Sequence, residues 1–178
     1  MKNRLVLITG PKHSGKSLAA RALGKITCGE AVDLDEVIEQ KTGKSPRELF
    51  KAGPEIFRKA EASALVSLVR PTEQHNEKLR IVAAGGGLID NPEALALLSE
   101  IIIVYLDVTP ETAWKRILYT AAGGELPPFL NTENPKETHF TLHKRRAEGY
   151  RALANLTVSA ENRSPEEIAR EIADHLEL

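Results

Sequence analysis

Apolar residues follow two alternating rhythms along this chain. Short unbroken runs, "RLVLIT" (4–9), "LRIVAA" (79–84) and "IIIVYLDV" (101–108), are rich in branched residues. Such runs predict strands buried on both faces. "AVDLDEVIEQ" (31–40) predicts a short strand ending in acids and then a helix, and "LTVSA" (156–160) predicts a last short strand. Between them, apolar positions recur every third or fourth residue, as one face of a helix requires. This rhythm predicts helices in "GKSLAARALGKI" (15–26) and "PEIFRKAEASALVSLV" (54–69), the latter with Pro54 in its first turn. "SPRELFKAG" (45–53) opens with Ser45 and Glu48 at capping-box spacing. Asn91 and Thr109 stand as caps before "PEALALLS" and "PETAWKRIL", and "SPEEIAREIADHLEL" (164–178) reads as a capped amphipathic helix. Strands alternating with helices imply an α/β three-layer sandwich with a mostly parallel five-stranded sheet, in one domain spanning 1–178.

One segment breaks the rhythm. "YTAAGGELPPFLNTENPKE" (119–137) contains two glycines, three prolines and two asparagines. A long irregular loop inside a compact domain is commonly functional, so a mobile lid is expected here.

Gly10 to Ser17, "GPKHSGKS", match G-x-x-x-x-G-K-[ST] between a buried strand and a helix. Glycines let the backbone wrap so that its N–H groups face phosphate oxygens, and the helix N-terminus adds partial positive charge. Gly10, Pro11, Lys12, His13, Ser14, Gly15, Lys16, Ser17 and Leu18 are the candidate nucleotide-binding residues. Lys16 can reach the β- and γ-phosphates, and Ser17 can ligate magnesium. A glycine turn with a solvated lysine is the plainer alternative.

Asp33 and Asp35 end the second strand, where a parallel sheet presents its ligands. If the strand persisted, alternation would send them to opposite sides, one to a magnesium shell and the other to a substrate. Alternatively they cap the next helix. Gly85, Gly86 and Gly87 end the third strand, either as a sharp turn or as backbone that a ligand approaches closely. Arg58 lies on the long helix, and Arg145, Arg146 and Arg151 cluster in "HKRRAEGYR". Guanidinium groups suit a carboxylate or a transferring phosphoryl group. Trp114 and Tyr150 read as packing residues, and the five histidines show no metal-ligand spacing.

Composition narrows the class. Apolar residues make up 42% and charged residues 28% of 178, as in an ordinary globule. A formal net charge of −1 gives no general affinity for nucleic acid or membranes. No run of 18 apolar residues is present, and the basic-then-apolar start is too short for a signal peptide. A cytoplasmic protein is expected. The single cysteine, Cys28, fits a reducing compartment and reads as a half-buried small residue.

These segments together resemble the shikimate kinases, a P-loop family with the nucleoside-monophosphate-kinase-like fold. The resemblance rests on "GPKHSGKS", "DLDEVIEQKTGKSPRELFKAGPEIFRKAE", "AAGGGLI", "IVYLDVTPETAWKR" and "KRRAEGYR". It implies an ATP- and magnesium-dependent kinase of aromatic amino-acid biosynthesis, acting on the 3-hydroxyl of shikimate. By that resemblance Asp33 helps hold magnesium with Ser17, and Asp35 orients or activates the attacking hydroxyl. Arg58 and Arg146 clamp a carboxylate, Gly85 to Gly87 line the substrate pocket, and Arg116 stacks on adenine. Lys16 and Asp35 are then the catalytic pair. A monomer without macromolecular partners is expected.

The chain departs from the family pattern in places. Where the lid usually reads R-P-L-L, this chain has "PPFL", with Pro127 in the arginine's position. His13 and Ala83 replace the usual glycine and serine. A missing lid cation implies slower turnover unless Lys136 or Arg145 reaches in. Two other readings stay open: a related kinase for another hydroxylated acid such as gluconate, and a nucleotide-binding regulatory module.

Overall fold

The computed structural model of the chain describes residues 5–70, 78–99, 101–121 and 125–178. Five strands, β1 (Leu5–Thr9), β2 (Glu30–Asp33), β3 (Arg80–Ala83), β4 (Ile102–Asp107) and β5 (Leu156–Ser159), form one sheet in the order β2-β3-β1-β4-β5. Every pairing is parallel, so the expected "mostly parallel" sheet is wholly so. The helices are α1 (Lys16–Thr27), α2 (Leu34–Thr42), α3 (Pro46–Ala52), α4 (Pro54–Val69), α5 (Pro92–Leu95), α6 (Pro110–Thr120), α7 (Pro135–Leu153) and α8 (Pro165–Leu176).

Residue alternation along the strands builds two cores. Val6, Ile8, Val104 and Leu106 pack against α1 and α8 through Leu23, Ile168 and Ile172. Leu5, Leu7, Val82 and Ile103 face the other way, onto Leu34 and Ile38 of α2 and Leu65 of α4. All of β1 is buried, as its unbroken apolar run demands.

The capping signals operate as expected. Ser45 and Ser164 each form a reciprocal box with a glutamate three residues on, Glu48 and Glu167. Asn91 and Thr109 accept from Ala94 N and Thr112 N.

Two expectations need correction, and one helix goes unannounced by the apolar pattern. Cys28 is exposed, because it adopts a left-handed conformation (φ 53°) that ends α1. Residues 119–137 are not wholly irregular: α6 runs to Thr120, Pro128–Leu130 form a 3-10 turn, and α7 begins at Pro135. Residues 122–124 lie outside the described part. Finally, α7 has no aliphatic stripe to announce it. Its buried face is His139, His143, Ala147 and Tyr150, with the Tyr150 ring stacked on Tyr105 at 5.7 Å.

Sheet register sets up the site. Ala83 pairs with both Ile8 and Asp33, so β1, β2 and β3 end side by side. The loops that follow them therefore open on one edge, where open parallel sheets bind ligands.

Candidate active site

The loop after β1 holds its shape through backbone that only glycine permits. Gly10 has φ 149°, and a Cβ there would lie 2.5 Å from the Leu106 carbonyl oxygen. Ser14 N donates to Pro11 O at 3.2 Å, tightening the turn. No side chain caps α1 and no acid lies in its first turn, so its amides are left for an anion.

Lys16 folds back to donate to Pro11 O at 2.7 Å. Burial, reinforced by the charge of Lys12, lowers its pKa to about 8. Beneath the loop, Ser14 Oγ is buried with no hydrogen-bond partner. A lysine resting on a carbonyl and an orphaned hydroxyl fit a loop whose missing partner is phosphate.

Asp33 ends β2 and also caps α2: its Oδ1 accepts from Asp35 N at 3.0 Å. Its Oδ2 accepts from Ser17 Oγ at 2.7 Å. The capping and ligand readings thus coincide in one carboxylate. The strand stops at Asp33, so alternation no longer sends Asp35 to the opposite side. Both acids line one cavity of about 1480 Å³, together with Lys16, Arg58, Arg116 and Arg146. Among the described residues no cluster of three or more His, Cys, Asp or Glu forms a metal site. The Ser17–Asp33 pair suits magnesium instead, which takes few protein oxygens and keeps phosphate and water ligands.

Asp35 lines the cavity and is exposed to solvent there, so the protein only partly desolvates it. Desolvation there, and the neighbouring Asp33, raise its pKa above the usual carboxylate range. The backbone of Gly85 lies beside two carboxylates: a Cβ there would be 3.6 Å from Glu61 Oε1 and 3.9 Å from Asp35 Oδ1. Gly86 packs on the loop itself, and an added Cβ would come 2.9 Å from Gly10 O. Gly87 borders Arg146, whose Nη2 would lie 3.4 Å from a Cβ. The three glycines are therefore both a turn and a close backbone wall.

Arg146 is held in place by Asp90, which accepts from Nε at 2.9 Å and from Nη2 at 2.7 Å. Phe129 of the 3-10 turn covers the guanidinium, 5.6 Å from ring centre to Cζ. Arg58 reaches the same cavity from α4 and pairs with Glu55. Arg116 donates to His13 O at 3.0 Å and to Ala160 O at 3.4 Å, joining the phosphate loop to the loop before α8. Arg151 turns away and binds Asp107 at 2.6 Å, and Trp114 packs on His139.

Glu61 matters beyond the residues singled out above, and His13 makes a contact the sequence did not suggest. Glu61 is only 1% exposed and accepts from Asn91 Nδ2 at 2.9 Å. Burial raises its pKa to about 7, opposed by the Asn91 hydrogen bond and by Arg146 and Arg58. Its signal was the three-residue spacing from Arg58 in "FRKAE", which sets both side chains on one face of α4. His13, in the usual glycine's place, accepts a left-handed φ of 61°. Its Nε2 lies 3.0 Å from Thr120 Oγ1 at the end of α6. Burial, then the charges of Lys12, Lys16 and Arg116, lower its pKa to about 4.

The irregular segment carries no cation to this cavity. From 117 to 135 the chain has no lysine or arginine, and the residues facing the cavity include Glu125, Pro127 and Phe129. Arg145 binds Asp90 at 2.8 Å, and Lys136 lies over the Phe140 ring at 5.7 Å; neither lines the cavity.

Comparison with known proteins agrees with this geometry. The family model described as shikimate kinase matches residues 12–177. A shikimate kinase of Corynebacterium efficiens is 32% identical, with 99% of each chain covered. One from Thermus thermophilus is 36% identical over 96% of this chain and 89% of its own. The solved shikimate kinase of Acinetobacter baumannii in complex with shikimate superposes with a TM-score of 0.83 at 28% identity, covering 97% of this chain and 92% of that one. With the phosphate loop, the paired acids and the glycine wall in place along nearly its whole length, this chain belongs to the shikimate kinase family of ATP-dependent kinases.

Proposed function

We propose that the chain transfers the γ-phosphoryl group of magnesium-bound ATP to the 3-hydroxyl of shikimate, as a monomer in the cytoplasm. The observation that carries this reading is one cavity lined by the phosphate loop together with Asp35, Arg58 and Arg146. Relatives named shikimate kinase, at 32% and 36% identity over nearly the full chain, support the choice of acceptor.

The loop amides and Lys16 would hold the β- and γ-phosphates, and Arg116 would flank the base. Ser17 and Asp33 would hold magnesium, which when bound would supply positive charge to the phosphates. Arg58 and Arg146 would fix the acceptor's carboxylate; Asp90 orients Arg146 for this from behind. Asp35 would accept a hydrogen bond from the attacking hydroxyl, and its raised pKa makes it a better proton acceptor than an ordinary aspartate. Catalysis is then mostly alignment and charge stabilisation. No helix among the described residues is long and apolar enough to cross a membrane.

A coupled assay of ADP release with shikimate, with gluconate and with no acceptor tests the proposal. Release that requires shikimate is expected. Release only with gluconate would move the chain to another acceptor, and release with neither would favour a binding module.

A further inference from the structure

Lys12 belongs to the phosphate loop, on the wall it shares with the glycine segment after β3. It lines the large cavity, and also a narrow recess formed with Gly86, Phe129, Arg146 and Tyr150. Its backbone nitrogen would lie 3.3 Å from a Cβ on Gly86, so the base of the side chain is anchored against the glycine wall. Four cations of the cavity are engaged, Lys16 with Pro11 O, Arg58 with Glu55, Arg116 with His13 O and Arg146 with Asp90, while Lys115 stands on α6 beside Arg116, away from the recess that Lys12 lines. Lys12 is exposed and has no hydrogen bond or ion pair among the described residues. The segment from 117 to 135 supplies no cation.

We propose that the Lys12 side chain is a catalytic cation that binds the transferring γ-phosphoryl group from the acceptor side. The inference rests on the phosphoryl-transfer reading above. In the step, the acceptor oxygen bonds to the γ-phosphorus as the bond to the β,γ-bridging oxygen breaks. The bond's electron pair leaves with ADP, and the hydroxyl proton passes to Asp35. Lys12 moves no proton; it donates hydrogen bonds to equatorial phosphoryl oxygens while negative charge is spread over them. A compact ammonium on a flexible stem can follow the group as it moves from ATP to acceptor.

The test compares wild type, Lys12→Met and Lys12→Arg in steady-state turnover of ATP and shikimate. In parallel, binding of magnesium ADP is measured with and without aluminium fluoride, a mimic of the transferring group. Lys12→Met keeps the apolar stem, and the exposed position leaves folding intact. A kcat loss of roughly 10- to 100-fold is expected, with both KM values within about threefold. Lys12→Arg should recover most of that loss. Aluminium fluoride should tighten ADP binding at least about tenfold less in Lys12→Met than in wild type, with ADP affinity itself unchanged. An unchanged kcat, a loss confined to the KM for shikimate, or equal loss for ADP with and without fluoride would each overturn the proposal. If wild type leaves shikimate untouched, the acceptor assignment fails; the fluoride comparison still decides the role of Lys12.

Discussion

Asp35 and Glu61 are two acids with raised pKa values beside Gly85, and they make different demands on experiment. Asp35→Asn keeps shape and removes the proton acceptor. kcat should fall by at least about 10²-fold while ATP affinity holds, measured by turnover and by nucleotide titration. A collapse of ATP affinity would mean that Asp35, and not Asp33, serves the metal. Glu61 affects stability. Its folded pKa of about 7 lies above the unfolded value of 4.5, so the folded state binds more protons between those limits. Stability contributed at Glu61 is therefore lost as pH rises from about 4.5 to 7, by about 3 kcal/mol at most. Glu61→Gln keeps an acceptor for Asn91 and has no such titration. Its Tm relative to wild type should climb between pH 5 and pH 8, and a difference that is flat with pH would refute the buried-carboxylate account. Single residues were legible in the sequence where their role is local. The phosphate loop and the caps at Ser45, Asn91, Thr109 and Ser164 depend on neighbours within a few positions. Glu61 and the Lys12 side chain were not, because burial and charge partners come from elements distant in sequence.

At the scale of elements, β1, β3 and β4 were legible from unbroken apolar runs, since a strand covered on both faces has no polar side to show. α7 was not, because its inner face uses two histidines, an alanine and a tyrosine in place of aliphatics. The glycine segment after β3 was legible as a turn or a ligand wall, and contacts from two directions make it both. Gly86→Ala would push a Cβ to 2.9 Å from the carbonyl of Gly10, a backbone atom of the phosphate loop. A stability loss of about 1–3 kcal/mol and weakened ATP binding are expected. Gly85→Ala meets only ordinary contacts at 3.6 Å and beyond, so its Tm should hold while the KM for the acceptor rises. Thermal melts and nucleotide titrations of the two variants should separate cleanly; equal Tm losses would contradict the division of labour between the glycines.

Across the whole molecule, the parallel sheet gathers three loops at one edge, and helices α3, α4 and α7 complete the acceptor side of the cavity through Arg47, Arg58 and Arg146. Part of the 125–130 segment already leans on α3, where Arg47 binds Glu125 at 2.7 Å and Leu126 O at 3.1 Å. That segment offers Pro127 where the family pattern carries an arginine, and Lys12 lines the same cavity. The central claim is that this cavity carries a phosphoryl group from ATP to one hydroxyl of shikimate. Product analysis by phosphorus–proton correlation NMR, after incubation of the protein with magnesium, ATP and shikimate, tests it most directly. The account requires one ADP per phosphorylated acceptor, with the new phosphate coupled to the proton on the carbon bearing the 3-oxygen. Phosphate on a different hydroxyl, or ATP consumed with only inorganic phosphate formed, would contradict it.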